Sequence, residues 1–170
     1  MKYFLGFSLQ KDICKQLRNL TKEISQTFDE QGIPVRWTDP KDYNISLHNY
    51  YKLSFIQKFV LEKKLTKMST STFTISLHRL KLGETKRMRG LIYFSIDKGG
   101  EHLRHLKSEL GKNLRIKETP IFVPNIVIGR VSKDLTKQEY SNILKDFESL
   151  QENVNGVQFQ VSTLGLIELR

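Results

Sequence analysis

The feature that most constrains the fold is a repeat, because the order helix, strand, helix, strand occurs twice at a shift of 81 residues. At this shift Asn44-Ile45-Ser46 aligns with Asn125-Ile126-Val127, and apolar residues at helical spacing flank both strands. Such self-similarity predicts an internal duplication whose equivalent strands meet across a pseudo-two-fold axis. An α+β domain that merely alternates its elements is the other explanation of this pattern.

Hydrophobic periodicity predicts the individual elements. Strands are expected over residues 2–9, 43–51, 72–80, 91–96 and 121–131, with a closing hairpin formed by 156–162 and 164–169. Helices are expected over 13–28, 55–68, 103–114 and 135–150. In the second helix, four apolar residues are expected to point inward: Phe55, Ile56, Phe59 and Val60.

Positive charge is concentrated in the middle of the chain. Residues 52–117 hold 16 basic and 5 acidic side chains, whereas the remainder holds 12 basic and 13 acidic ones. A basic surface confined to one region favours a phosphate-bearing partner, with nucleic acid as the first candidate. Charge that serves only solubility is the alternative interpretation.

Composition limits the classes of protein that remain. Hydrophobic residues make up 38% of the 170 residues, which is typical of a globular chain. No apolar run approaches the ~20 residues of a membrane span, and the single cysteine, Cys14, excludes an internal disulfide. We expect a cytoplasmic monomer with no cofactor, no metal ion and no membrane partner.

Several landmarks resemble the 2H phosphoesterase superfamily, and its LigT-like RNA 2′,3′-cyclic phosphodiesterases (also called 2′-5′ RNA ligases) in particular. They are the opening strand 3–9, the Arg36-Trp37 lead-in, Phe122-Val123-Pro124, Gly129-Arg130 and the closing segment 161–169. The resemblance covers nearly the whole chain. It implies an α+β fold over residues 1–170, in which two intertwined lobes of antiparallel sheet with outer helices surround a central cleft. The motif strands would lie near 43–51 and 121–131.

The chain departs from the family at the residues that carry the chemistry. The resemblance implies two His-x-Thr/Ser motifs, one histidine acting as general base and the other as general acid, with hydroxyls holding the phosphate. Here the motifs are Asn44-Ile45-Ser46 and Asn125-Ile126-Val127, so both histidines and one hydroxyl are replaced. An amide does not titrate near neutral pH, and each lost proton-transfer role removes roughly 10²–10⁴-fold in rate.

Binding is expected to survive the loss of catalysis. The amides of Asn44 and Asn125, the hydroxyl of Ser46 and the guanidinium of Arg130 are all potential phosphate donors. The loop from 81 to 90 adds further cations, and three of them are assigned to phosphate or RNA contact: Lys86, Arg87 and Arg89.

Other candidate residues have simpler interpretations. Strand alternation predicts that His48 shares a face with Asn44 and lies about 13 Å along the strand, at ~3.3 Å per residue. Among the aromatic residues available for base stacking, Trp37 is assigned to the core, while Tyr50 and Tyr51 remain available. His102 and His105 are three residues apart on a helix, and a solvated helix face is favoured over a metal site.

Three functions are compatible with these observations. The leading hypothesis is a catalytically degenerate 2H phosphoesterase-like protein that binds an RNA end or a phosphorylated nucleotide in the central cleft. The alternatives are an RNA 2′,3′-cyclic phosphodiesterase that uses non-standard groups, and a protein–protein interaction module that has lost the ligand. An enzyme needs a titratable group at the cleft centre, binding needs the basic rim, and an interaction module needs neither.

Overall fold

A computed structural model describes residues 2–68, 71–116 and 121–169, and for Leu169 it describes the backbone alone. It contains eight strands and four helices within those residues. The strands are β1 (Lys2–Ser8), β2 (Val35–Trp37), β3 (Asn44–Tyr50), β4 (Phe73–Leu82), β5 (Leu91–Ile96), β6 (Asn125–Val131), β7 (Gln158–Val161) and β8 (Gly165–Leu169). The helices are α1 (Lys11–Glu30), α2 (Phe55–Leu65), α3 (Gly100–Leu114) and α4 (Lys137–Asn155).

The strands form two antiparallel sheets. One has three strands in the order β3-β1-β8, and the other has five in the order β2-β6-β5-β4-β7. Helices cover one face of each sheet. In the larger sheet, Trp37 packs edge-on against Phe28 of α1, which in turn contacts Phe147 of α4. The predicted class, an α+β fold with two antiparallel sheets and outer helices, is confirmed.

The smaller sheet is covered by the other two helices. Lys58 of α2 lies over the ring of Tyr3, and Phe7 contacts Phe73, whose ring also stacks on His102 of α3. Tyr3 and Phe7 point to the same side of β1 because they are separated by an even number of residues. That side is therefore the helix-covered face of the smaller sheet.

The helices that follow the two motif strands begin in the same way. Ser54 and Thr136 each cap their helix, and Gln57 and Glu139 complete the capping boxes. Each box satisfies backbone donors that the first helical turn leaves without partners. The two halves thus share a local start signal as well as an order of elements.

Two predictions about the fold are wrong. Residues 156–162 and 164–169 do not form a hairpin, because β7 pairs with β4 whereas β8 pairs with β1 in the other sheet. The short segment between them carries the chain from one sheet to the other.

The second error concerns α2, whose four apolar residues at positions 55, 56, 59 and 60 are exposed. The side of α2 that lies against the protein is formed by Lys58, Leu61 and Leu65. The helical spacing predicted the helix correctly, but it predicted the wrong side of the helix to be buried.

Candidate functional site

Strands β3 and β6 belong to different sheets and lie beside each other, with Cα atoms that approach within 8 Å. They are the two strands that the repeat aligns, and their bounds, Asn44–Tyr50 and Asn125–Val131, differ by 81 residues at both ends. Ile45 and Ile126 are fully buried, whereas the asparagine before each of them is half-buried. The asparagines therefore lie on the faces that the helices leave uncovered.

A bulge in β3 changes which side chains share the face of Asn44. The pairing with β1 shifts between Gly6, opposite Ser46, and Leu5, opposite His48, so Leu47 is the extra residue. An extra residue reverses the alternation beyond it. Asn49 is thereby brought to the face of Ser46, and its amide oxygen accepts a hydrogen bond from the Ser46 hydroxyl at 2.9 Å.

The same bulge turns His48 away from Asn44, so the prediction that they share a face is wrong. The His48 ring contacts Tyr50 at 4.6 Å between centroids, on the helix-covered side. Burial there, followed by the positive charge of Lys107 on α3, lowers the pKa of His48. His48 is therefore separated from Asn44 by the sheet itself.

Strand β6 carries a bulge at the equivalent position. Its pairing with β5 shifts between Val127, opposite Tyr93, and Gly129, opposite Ile92, so Ile128 is the extra residue. Arg130 then pairs with Leu91, which lies on the same side of β5 as Tyr93. Strict alternation would have placed Arg130 on the other face. The bulge brings it to the face of Asn125.

The two motif asparagines make the same hydrogen bond. The Asn44 side-chain nitrogen donates to the backbone carbonyl of Asp42 at 2.7 Å, and that of Asn125 donates to the carbonyl of Val123 at 2.7 Å. Donor and acceptor are two residues apart in both cases. One N–H thus fixes each amide, and each amide has a second N–H and a carbonyl oxygen with which to contact a ligand.

These groups can bind an anion but cannot move a proton. Asn44, Ser46 and Asn125 supply neutral donors, and Arg130 supplies a permanent charge with a forked set of N–H groups. Val127 supplies no donor at the position equivalent to Ser46. Hydrogen bonding and charge are therefore the chemistry that the two faces offer.

A basic depression of about 450 Å³ lies at the far end of β6. It brings together Lys86 and Arg89 of the 83–90 loop with Arg130 and Lys133, and Asp134 is its acidic member. The Arg130 guanidinium donates to the Arg89 carbonyl at 3.1 Å, which ties β6 to the loop.

The depression contains three of the basic residues that the sequence singled out. Arg87 is not among the residues that line the depression. It lies near Lys107, whose pKa is lowered first by burial and then by the positive charge of Arg87. Lys133 was missed because it lies outside the basic window, and it also pairs with Glu139 at 2.6 Å. Asn49 was missed too, although the 81-residue shift aligns it with Arg130.

The remaining candidates are divided by their contacts. Trp37 is packed on Phe28, as predicted, and Tyr50 is half-buried beside His48, so Tyr51 is the exposed aromatic residue of the three. His102 stacks on Phe73, while His105 faces Glu109 at 3.5 Å. Within the described ranges, no cluster of three or more metal-ligating side chains occurs, and no helix is long and apolar enough to cross a membrane.

Comparison of the sequence with protein-family profiles finds no matching family, and comparison with curated proteins finds no matching sequence. Solved structures do match. Escherichia coli LigT complexed with ATP superposes with a TM-score of 0.67 at 15% identity, over 97% of this chain and 85% of that one.

Two other matches extend the comparison. E. coli LigT complexed with 3′-AMP gives a TM-score of 0.63 at 13% identity, over 97% of this chain and 85% of that chain. Usb1 of Kluyveromyces marxianus gives a TM-score of 0.54 at 14% identity, over 99% of this chain and 97% of that chain. The resemblance in the motifs and lead-ins is thereby confirmed at the level of the fold. The chain has the fold of the LigT-like 2H phosphoesterases.

Proposed function

We propose that this protein is a catalytically degenerate 2H phosphoesterase-like protein that binds an RNA end or a phosphorylated nucleotide in the cleft between β3 and β6. The observation that carries the proposal is the matched pair of asparagines. Asn44 and Asn125 occupy equivalent positions on neighbouring strands, and each is fixed by an equivalent hydrogen bond. Two such amides offer donors to a phosphate from two sides.

The loss of hydrolysis follows from the residue types. Opening a cyclic phosphate needs one group to accept a proton and another to donate one, and neither asparagine does so near neutral pH. His48 is the histidine nearest in sequence to either motif, and it faces the helices. No observation favours a phosphodiesterase that relies on non-standard groups.

The solved structures support a nucleotide ligand. E. coli LigT has been crystallised with ATP, with 3′-AMP, with NADP+ and with phosphate. The proposal carries the ligand class, and not the reaction, to this chain. The cations of the basic depression supply the charge that such a ligand requires.

The spacing of the site favours an RNA end over a mononucleotide. Asn125 and Arg130 pair with Ser95 and Leu91 of β5, so they lie about 13 Å apart along the sheet at ~3.3 Å per residue. The Arg130 guanidinium is also held on the Arg89 carbonyl, so a phosphate bound at the Asn125 amide leaves the basic depression available for other phosphates. An RNA end places its terminal phosphate at the asparagines and carries further phosphates toward Lys86 and Arg89.

The test combines turnover with binding. Purified protein should leave 2′,3′-cyclic AMP intact, as a blank does, and should bind a short RNA with a 3′-phosphate more tightly than it binds 3′-AMP. The Asn44→Ala/Asn125→Ala variant should weaken both complexes. Efficient wild-type turnover would refute the degenerate site, and turnover that survives the double substitution would locate catalysis elsewhere. RNA binding that is indifferent to the substitution would refute the cleft as its site.

A further inference from the structure

Helix α2 presents an apolar surface to solvent. Its exposed fractions are 85% for Phe55, 73% for Ile56, 59% for Phe59 and 44% for Val60. At 100° per residue these four side chains fall within an arc of about 140°, and Lys63 follows them on the same side of the helix, one turn beyond Phe59. The face that packs on the protein lies on the opposite side of the helix, so the apolar arc, hereafter the α2 ridge, projects directly outward.

Positive charge adjoins both ends of the α2 ridge, one lysine before the helix and three at or after its C-terminal turn. Four lysines on or beside the helix are exposed: Lys52, Lys63, Lys64 and Lys67. Glu62 is the single acidic residue between positions 51 and 67, and its Oε1 atom lies 3.9 Å from Lys58 Nζ. Exposed aromatic and aliphatic side chains with neighbouring lysines are the groups by which a peripheral protein contacts an anionic lipid surface.

We propose that the α2 ridge attaches the protein peripherally to an anionic membrane surface. Phe55, Ile56 and Phe59 enter the boundary between headgroups and acyl chains, and the adjoining lysines extend to the anionic headgroups. The helix lies on the surface and does not span it. This inference departs from the expectation that the protein has no membrane partner, and it is independent of the proposed function.

Geometry and charge favour lipid over a protein occupant. Two copies of this chain meeting ridge to ridge would bring their lysines together, and like charges in contact oppose association. A bilayer accommodates a convex apolar ridge directly, because lipids rearrange around the inserted side chains.

The orientation is also compatible with ligand binding. Lys58 of α2 contacts Tyr3 on the helix-covered face of the smaller sheet. The asparagines lie on the other face, so an attached protein keeps its cleft open to solution.

The experiment is flotation of the full-length protein with phosphatidylcholine vesicles, with and without 30 mol% phosphatidylglycerol. Wild type should float with the anionic vesicles, and the bound fraction should fall as salt rises. Phe55→Ser/Phe59→Ser should weaken binding at least tenfold, and Lys63→Glu/Lys64→Glu should weaken it by about fivefold per lysine. Ile121→Ser is the matched control, because Ile121 is 74% exposed and lies outside α2; it should bind as wild type does.

Three results would overturn the inference. The first is a failure of wild type to float with anionic vesicles, and the second is flotation that the α2 substitutions do not reduce. The third is concentration-dependent self-association in light scattering that Phe55→Ser/Phe59→Ser abolishes, since the ridge would then be an interface between copies. Circular dichroism of each variant distinguishes loss of binding from loss of fold.

Discussion

Strands β3 and β6 have matching backbones and different side chains. Each has seven residues, a bulge at the fourth residue and an asparagine whose amide bonds to the carbonyl two residues earlier. The differences are confined to the positions that follow the motif isoleucine. Ser46 corresponds to Val127, and Asn49 corresponds to Arg130, so one strand is polar and neutral while the other carries a charge.

This contrast separates what the fold requires from what the site requires. Ile45 and Ile126 are both fully buried, and their equivalence follows from packing. The uncovered faces make no such demand, so their side chains can change without loss of the core. The proposed loss of the proton-transfer groups is therefore compatible with an unchanged backbone.

Restoring the missing groups should produce the largest effect. Asn44→His/Asn125→His/Val127→Thr rebuilds a general acid, a general base and the second hydroxyl. Because each proton-transfer group contributes roughly 10²–10⁴-fold, hydrolysis of 2′,3′-cyclic AMP should rise at least ~100-fold above wild type. The rate should peak between the pKa values of the two imidazoles.

The control for that experiment is Val127→Thr alone, which restores a donor without a titratable group and should stay at the level of wild type. The carbonyls of Asp42 and Val123, which now accept from the amides, are positioned to orient the new rings. A triple variant that is folded but inactive would contradict the equivalence of the two strands.

Reversing charge at the basic loop should give the next largest effect. Lys86→Glu/Arg87→Glu/Arg89→Glu should weaken RNA binding roughly tenfold or more at low salt, because fewer counterions are released from the phosphates. The slope of log affinity against log salt should become shallower by up to about two. Lys11→Glu/Lys15→Glu/Lys22→Glu on α1 makes the same change in net charge elsewhere and should have little effect. An equal loss of RNA affinity in both variants would show that net charge, and not the position of the basic loop, governs binding.

The residue that follows the bulge differs between the two strands: it is Gly129 in β6 and His48 in β3. A Cβ on Gly129 would lie 2.8 Å from Trp37 Cε3, and the Trp37 ring is held against Phe28. Gly129→Ala should therefore lower the free energy of unfolding by about 1–3 kcal/mol, measured in urea. Gly156→Ala, which meets only Asn153 O at 4.0 Å, should be neutral or slightly stabilising. Full stability of Gly129→Ala would contradict the close packing of Trp37 on β6.

Substitution of His48 should give the smallest effect, a change in how the free energy of unfolding depends on pH. Its pKa lies below the ordinary value of 6.5 in the folded protein, so the unfolded chain binds the proton first as pH falls. Stability should therefore decrease below pH 6.5 and level off beneath the folded-state pKa. His48→Gln should reduce that slope, and His105→Gln is the control for removing a histidine. An unchanged slope in His48→Gln would place His48 in solvent, on the face of Asn44.

Local periodicity predicted the four helices and seven of the eight strands of the described residues but missed the three-residue strand β2, and the resemblance to the LigT-like proteins implied the fold class. The sequence also identified both motif strands, because the 81-residue shift pairs Asn44 with Asn125 and the resemblance implies a motif at each. The sequence did not predict the strand faces on which Asn49, His48 and Arg130 lie. These faces depend on bulges, and a bulge depends on pairing with another strand. The errors at α2 and at the closing hairpin have a similar cause. Apolar spacing does not reveal which side of a helix packs, nor which sheet a strand joins.

The most direct test of the central claim is a crystal structure of the protein with 3′-AMP bound. We predict that Asn44 and Asn125 face each other across one cleft and that both amides donate to the phosphate, with the basic depression beyond it. A phosphate held elsewhere, or asparagines that point to opposite sides of the molecule, would contradict it.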